Sequence, residues 1–95
     1  MNSWECRKII VDADHPSVAG HFPGNPIVPG ALLLDHALSA LALRCPCLIR
    51  NVKFLRIVRP GTALELRWQS LDGGKIRFSC HSAGDVVMTG LLESE

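Results

Sequence analysis

Two segments of the chain alternate between apolar and polar positions with a period of two. In 62–71, Leu64, Leu66 and Trp68 stand against Glu65, Arg67 and Gln69; in 74–83, Ile76, Phe78 and Cys80 stand against Lys75, Arg77 and Ser79. This is the pattern of strands with one face on a core. Asp72-Gly73-Gly74 lies between them, which predicts a hairpin. Residues 49–58 and 85–94 also read as strands, set off by Arg59-Pro60-Gly61 and by Gly84-Asp85, and the β-branched run at 7–14 predicts a first strand.

The pattern changes in the first half of the chain. Residues 15–30 hold four prolines and three glycines in sixteen positions, which forbids regular structure and predicts a rigid, shaped loop. From Ala31 to about Leu43 every residue is small or a good helix former, and Pro29 suits a first helical turn. Asp35, His36 and Ser39 are the only polar positions of this segment, so a helix covered on all sides is expected. Pro46 ends it. One strand, one helix and four further strands predict an α+β fold in which a curled antiparallel sheet wraps one central helix.

Composition narrows the setting. Ninety-five residues make one small domain, read here as a single unit over 1–95, and 47% hydrophobic with 20% charged residues is the balance of a soluble globular chain. A chain this small exposes much of its surface, so a homodimer or higher homo-oligomer is expected. Ten Lys and Arg offset nine Asp and Glu, and the arginines are scattered, which argues against a nucleic-acid partner. No run of 18 apolar residues suggests a membrane span, and the polar start argues against a signal peptide, so a cytoplasmic location is expected. Cys6, Cys45, Cys47 and Cys80 then read as buried thiols. Arg44-Cys45-Pro46-Cys47 lacks metal-ligand spacing, and no metal site is expected.

The chemistry enters with the segment Gly20-His21-Phe22-Pro23-Gly24-Asn25-Pro26-Ile27-Val28-Pro29-Gly30. It resembles the active-site segment of the β-hydroxyacyl-acyl-carrier-protein dehydratases, whose pattern is His-Phe-Pro-Gly-x-Pro-x-x-Pro-Gly followed by a helix with an acid fourteen residues after the histidine. His21 plus fourteen is Asp35. The resemblance continues through Val52 to Leu66, with its Arg-Pro-Gly turn, and covers nearly the whole chain. It implies a hotdog fold working as a dimer, with each site taking its histidine from one chain and its acid from the other. It also implies a substrate carried on the phosphopantetheine of an acyl carrier protein or of coenzyme A, with no further cofactor.

Dehydrating a 3-hydroxyacyl thioester needs a base for the α-proton, an acid for the leaving hydroxide, and donors for charge growing on the thioester oxygen. His21 suits the base, since its ordinary ionisation lies near neutrality. Asp35, among leucines, is expected to be desolvated and so to keep its acid form available. The Gly30 N–H, at the positive end of the helix, suits the oxyanion, and Phe22, Pro29 and Ala31 are expected beside the substrate. Arg44, Arg50, Lys53, Arg56 and Arg59 are candidates to meet an acidic carrier protein.

The sequence departs from the family in three places. Asp35 stands where the simple dehydratases have glutamate, Ser39 where a glutamine is usual and His36 where a small residue is usual. With no tyrosine in the chain, a tyrosine gate is absent. Two other readings stay open: a hotdog acyl thioesterase in which Asp35 activates water, and a non-catalytic hotdog subunit partnering an active dehydratase.

Overall fold

The computed structural model describes residues 3–12, 27–41 and 47–94. Five strands and one helix follow in the order β1 (Glu5–Ile10), α1 (Gly30–Leu41), β2 (Cys47–Phe54), β3 (Ala63–Ser70), β4 (Lys75–Ser82) and β5 (Asp85–Ser94). All five strands join one antiparallel sheet in the spatial order β1-β3-β4-β5-β2. The expected strands are therefore present. The first ends at Ile10, earlier than its pattern implied, and the expected hairpin pairs β3 with β4.

The alternating residues behave as their period requires. Leu64, Leu66, Phe78 and Cys80 are buried on the inner face, while Glu65, Arg67, Arg77 and Ser79 face outward. Leu33 and Ala37 close the inner face from the helix side, and Val11, Val58, Val87, Met88 and Leu92 complete the core. Each large aliphatic side chain sealed in this way contributes roughly 1.5–3 kcal/mol. The exposed ion pair between Arg50 and Glu93 belongs to the weaker class, about 1 kcal/mol or less. Burial holds the sheet on the helix.

Two irregularities fit the sheet to its load. Between Cys80 and His81 the β4–β5 register shifts, so that Val87 is the extra residue of β5, and both Val87 and Met88 are buried. At Gly90 an added Cβ would collide with the ring of Phe78, which fills the space over that strand. β3 and β4 are joined by a 3-10 turn at Asp72–Gly74 with Gly73 and Gly74 at φ of 77° and 75°, conformations that side chains resist. Asp-Gly-Gly makes the hairpin, as its composition requires.

The helix departs from expectation. It buries Leu32, Leu33 and Ala37, but Ala31, Asp35 and Ser39 are exposed. These three are spaced by four and lie on one face, opposite the sheet. A single sheet can cover only one side of a helix, so the all-round cover implied by the apolar sequence is not supplied by the described residues of one chain. The cysteines also differ: Cys80 is buried, Cys47 half-buried and Cys6 exposed, all three as free thiols, and Cys45 lies outside the described residues. Cys6 is exposed because it sits on the outer face of an edge strand. No helix among the described residues is long and apolar enough to cross a membrane.

Candidate active site

The helix begins where the proline-glycine segment ends. The carbonyl of Pro29 accepts the N–H groups of Leu32 at 3.0 Å and Leu33 at 3.1 Å, which makes Pro29 the residue that starts the helical ladder. One residue earlier, the Val28 N–H donates to the carbonyl of Val58 at 2.7 Å and fixes the entry of the chain. Gly30 is the first helical residue, and its N–H has no carbonyl one turn back within the helix to which it could donate. The partial positive charge of the helix collects there.

Asp35 sits five residues along, at the centre of the exposed face, with Ala31 one turn before it and Ser39 one turn after. The rise from Gly30 to Asp35 is about 7.5 Å along the axis. The dry surroundings expected of Asp35 are not provided by the described residues of one chain, because the leucines around it in sequence point toward the sheet or the flanks. His36 lies on a half-buried flank, turned about 100° from Asp35. Its Nδ1–H donates to the Leu32 carbonyl at 3.1 Å, since a carbonyl can only accept.

His21 and Phe22 lie outside the described residues, as do His15 and Arg44. Pro29 and Gly30 are half-buried at the helix start, and Ala31 is exposed beside them. Of the cations suggested for carrier docking, Arg50, Lys53, Arg56 and Arg59 are exposed, and Arg50 pairs with Glu93. Among the described residues, no three of His, Cys, Asp and Glu stand together in a way that would hold a metal ion.

Two groups of residues escaped the sequence reading. Phe54, at the end of β2, places the far end of its ring against Gly30: an added Cβ there would stand 3.1 Å from Cζ and 3.2 Å from each Cε. On the opposite face of the sheet, Ser79 Oγ lies 2.7 Å from His81 Nε2, and Glu65, the cross-strand neighbour of His81, pairs with Arg67. Burial pushes His81 below its ordinary protonation range, Arg67 adds to the effect and Glu65 opposes it. A cavity of about 500 Å³ adjoins these residues beside Trp4 and Cys6. The Ser79–His81 and Glu65–Arg67 contacts each join residues two apart on one strand, and the β3–β4 register sets the two pairs side by side.

The family model described as "ApeI-like: ApeI dehydratase" matches residues 2–91. The 3-hydroxyacyl-[acyl-carrier-protein] dehydratase FabZ of Caldicellulosiruptor saccharolyticus is 34% identical over 98 residues, a match covering 86% of this chain and 70% of that protein. The FabZ of Chloroflexus aggregans is 38% identical over 72 residues, covering 63% of this chain and 50% of that protein. Among solved structures, the dehydratase heterocomplex ApeI:P from Xenorhabdus doucetiae aligns at a TM-score of 0.78 and 19% identity over 98% of this chain and 92% of that one. The fluoroacetyl-CoA thioesterase FlK aligns at 0.63 and 16% identity, over 96% and 82%. At those identities the two structures speak for the fold alone.

Proposed function

Because the chain belongs to the ApeI-like dehydratase family and has a hotdog fold, we propose that it is a 3-hydroxyacyl-[acyl-carrier-protein] dehydratase. Its product would be a trans-2-enoyl thioester, made in fatty-acid or related lipid or polyene synthesis, and its substrate would arrive on the phosphopantetheine of an acyl carrier protein. The observation that carries this reading is the placement of Asp35 on the outward face of α1, about 7.5 Å along the axis from the Gly30 N–H. A thioester carbonyl at the helix start and a C3 hydroxyl at the carboxyl group are separated by a distance of that order once a hydrogen bond is allowed at each end.

In this reading His21 removes a proton from C2, electrons move to form the C2–C3 double bond, and Asp35 gives its proton to the departing hydroxyl, which leaves as water. The Gly30 N–H holds the charge that develops on the thioester oxygen. Phe22, Pro29 and Ala31 flank the acyl group. Proton return from His21 to Asp35 through solvent resets the site. A second copy of the chain would cover the exposed face of α1 and bring its own His21 toward Asp35, which would supply a dry setting.

The test is hydration of a crotonyl thioester, the reverse reaction, followed as loss of the conjugated enoyl absorbance. Hydration without release of free thiol is the expected result. Thiol release without hydration would favour a thioesterase, and neither activity would leave a binding subunit.

A further inference from the structure

We infer that Phe54 is a positioning residue that sets where the Gly30 N–H meets the thioester oxygen, an inference that rests on the dehydratase reading above. Phe54 is 50% exposed, an unusual state for a phenylalanine, yet the far end of its ring lies against Gly30. Its Cζ, Cε1 and Cε2 atoms stand 3.1, 3.2 and 3.2 Å from the place a Cβ on Gly30 would occupy. A side chain at position 30 would require the ring to give way by a few tenths of an ångström.

The backbone that carries the ring is held. Phe54 pairs with Met88 in the sheet, and the Leu55 N–H donates to the Val87 carbonyl at 2.8 Å. Four residues beyond Phe54, the Val58 carbonyl accepts the N–H of Val28, two residues before Gly30. The segment 54–58 therefore grips the helix start at two points, by a backbone hydrogen bond before Gly30 and by an aromatic ring at it. A ring edge carries the positive end of the aromatic quadrupole, so the grip places no repulsion beside an oxygen gaining negative charge. A displacement of about 1 Å at such a donor can cost on the order of a hundredfold in rate.

The experiment measures kcat and KM for crotonyl-thioester hydration in the wild type, Phe54→Leu, Gly30→Ala and the double variant, with thermal midpoint and native mass recorded for each. Gly30→Ala keeps its N–H but forces a methyl group against the ring. Phe54→Leu is expected to lower kcat roughly ten- to a hundredfold, with KM little changed and native mass unaltered. Gly30→Ala is expected to be impaired at least as much, and the double variant to be more active than Gly30→Ala, because the smaller side chain makes room for the methyl group. If Phe54→Leu fails to fold, Phe54→Met replaces it with the same expectations. A wild-type kcat in Phe54→Leu, a change in KM alone, or a double variant no better than Gly30→Ala would overturn the inference while leaving the dehydratase reading intact. A wild type that hydrates no thioester would overturn both.

Discussion

Arg7 and Phe54 terminate one row of cross-strand neighbours, Arg7, Leu66, Cys80, Met88 and Phe54, and each touches one end of α1. Phe54 meets Gly30 at the start of the helix, and Arg7 Nη1 donates to the Ala40 carbonyl at 3.1 Å near its end. The first contact is steric and the second electrostatic. A cation at the C-terminal carbonyls also answers the negative end of the helix.

The contribution of Arg7 is measurable. Arg7→Met keeps the apolar stem and removes the donor, and is expected to cost about 0.5–1 kcal/mol, read as a lower urea midpoint with an unchanged slope. An unchanged midpoint would show that the contact contributes nothing to stability.

The β4–β5 turn contains a residue that is poor for its place. Ser82 pairs with Asp85, and the two residues between them, Ala83 and Gly84, have φ of 49° and 87°, the geometry of a type I′ turn. Ala83 is strained there and asparagine is not. Ala83→Asn should therefore stabilise the protein by about 0.5–1 kcal/mol in the same urea titration.

Asp35→Asn keeps side-chain volume but cannot give up a proton. Crotonyl-thioester hydration should fall by a hundredfold or more, within the range of about 10²–10⁴ that a positioned acid supplies, while the thermal midpoint stays near that of the wild type. Near-normal turnover in this variant would make the carboxylate structural.

His81 gives the pH dependence a sign. Its folded-state protonation is depressed below the ordinary 6.5, first by burial and then by Arg67, so the unfolded chain takes up the proton earlier as pH falls. The stability tied to this group is present above about pH 6.5 and is lost as the pH falls from there toward the folded value. His81→Gln should show a shallower decline in urea midpoint over that interval. Parallel declines would assign the acid sensitivity to other groups.

The thiols should separate by reactivity. Burial lifts Cys80 to about 11, whereas Cys6 is exposed on the outer face. Alkylation of the native protein near pH 8, mapped by peptide mass spectrometry, should mark Cys6 and spare Cys80 until urea is added. Early labelling of Cys80 would mean that the inner face opens far more readily than its packing implies.

Much of this molecule was legible in its sequence, for identifiable reasons. The strands 62–71 and 74–83 alternate because one face is buried and one is wet, and Asp-Gly-Gly is confined to few turns. The helix start was legible because prolines and glycines end at Gly30. What stayed hidden depends on pairing between distant segments. β2 lies beside β5, not β3, a choice that no local pattern encodes. The meeting of Phe54 with Gly30 depends on that choice. Asp35 was placed correctly on the helix but in surroundings too dry, because a run of leucines does not say which side each one takes.

The row from Arg7 to Phe54 also ties two dimensions of the fold to each other. Four inter-strand gaps of about 4.8 Å make a flat sheet about 19 Å wide, and twelve helical residues at 1.5 Å rise make α1 about 18 Å long. With each end of the helix held by an edge strand, α1 acts as a strut whose length fixes how far apart those edges stand. An added helical turn would overshoot one edge, and a strand inserted between β1 and β2 would leave one end of the helix without its contact. Between β1 and β2, strand number and helix length can change only together.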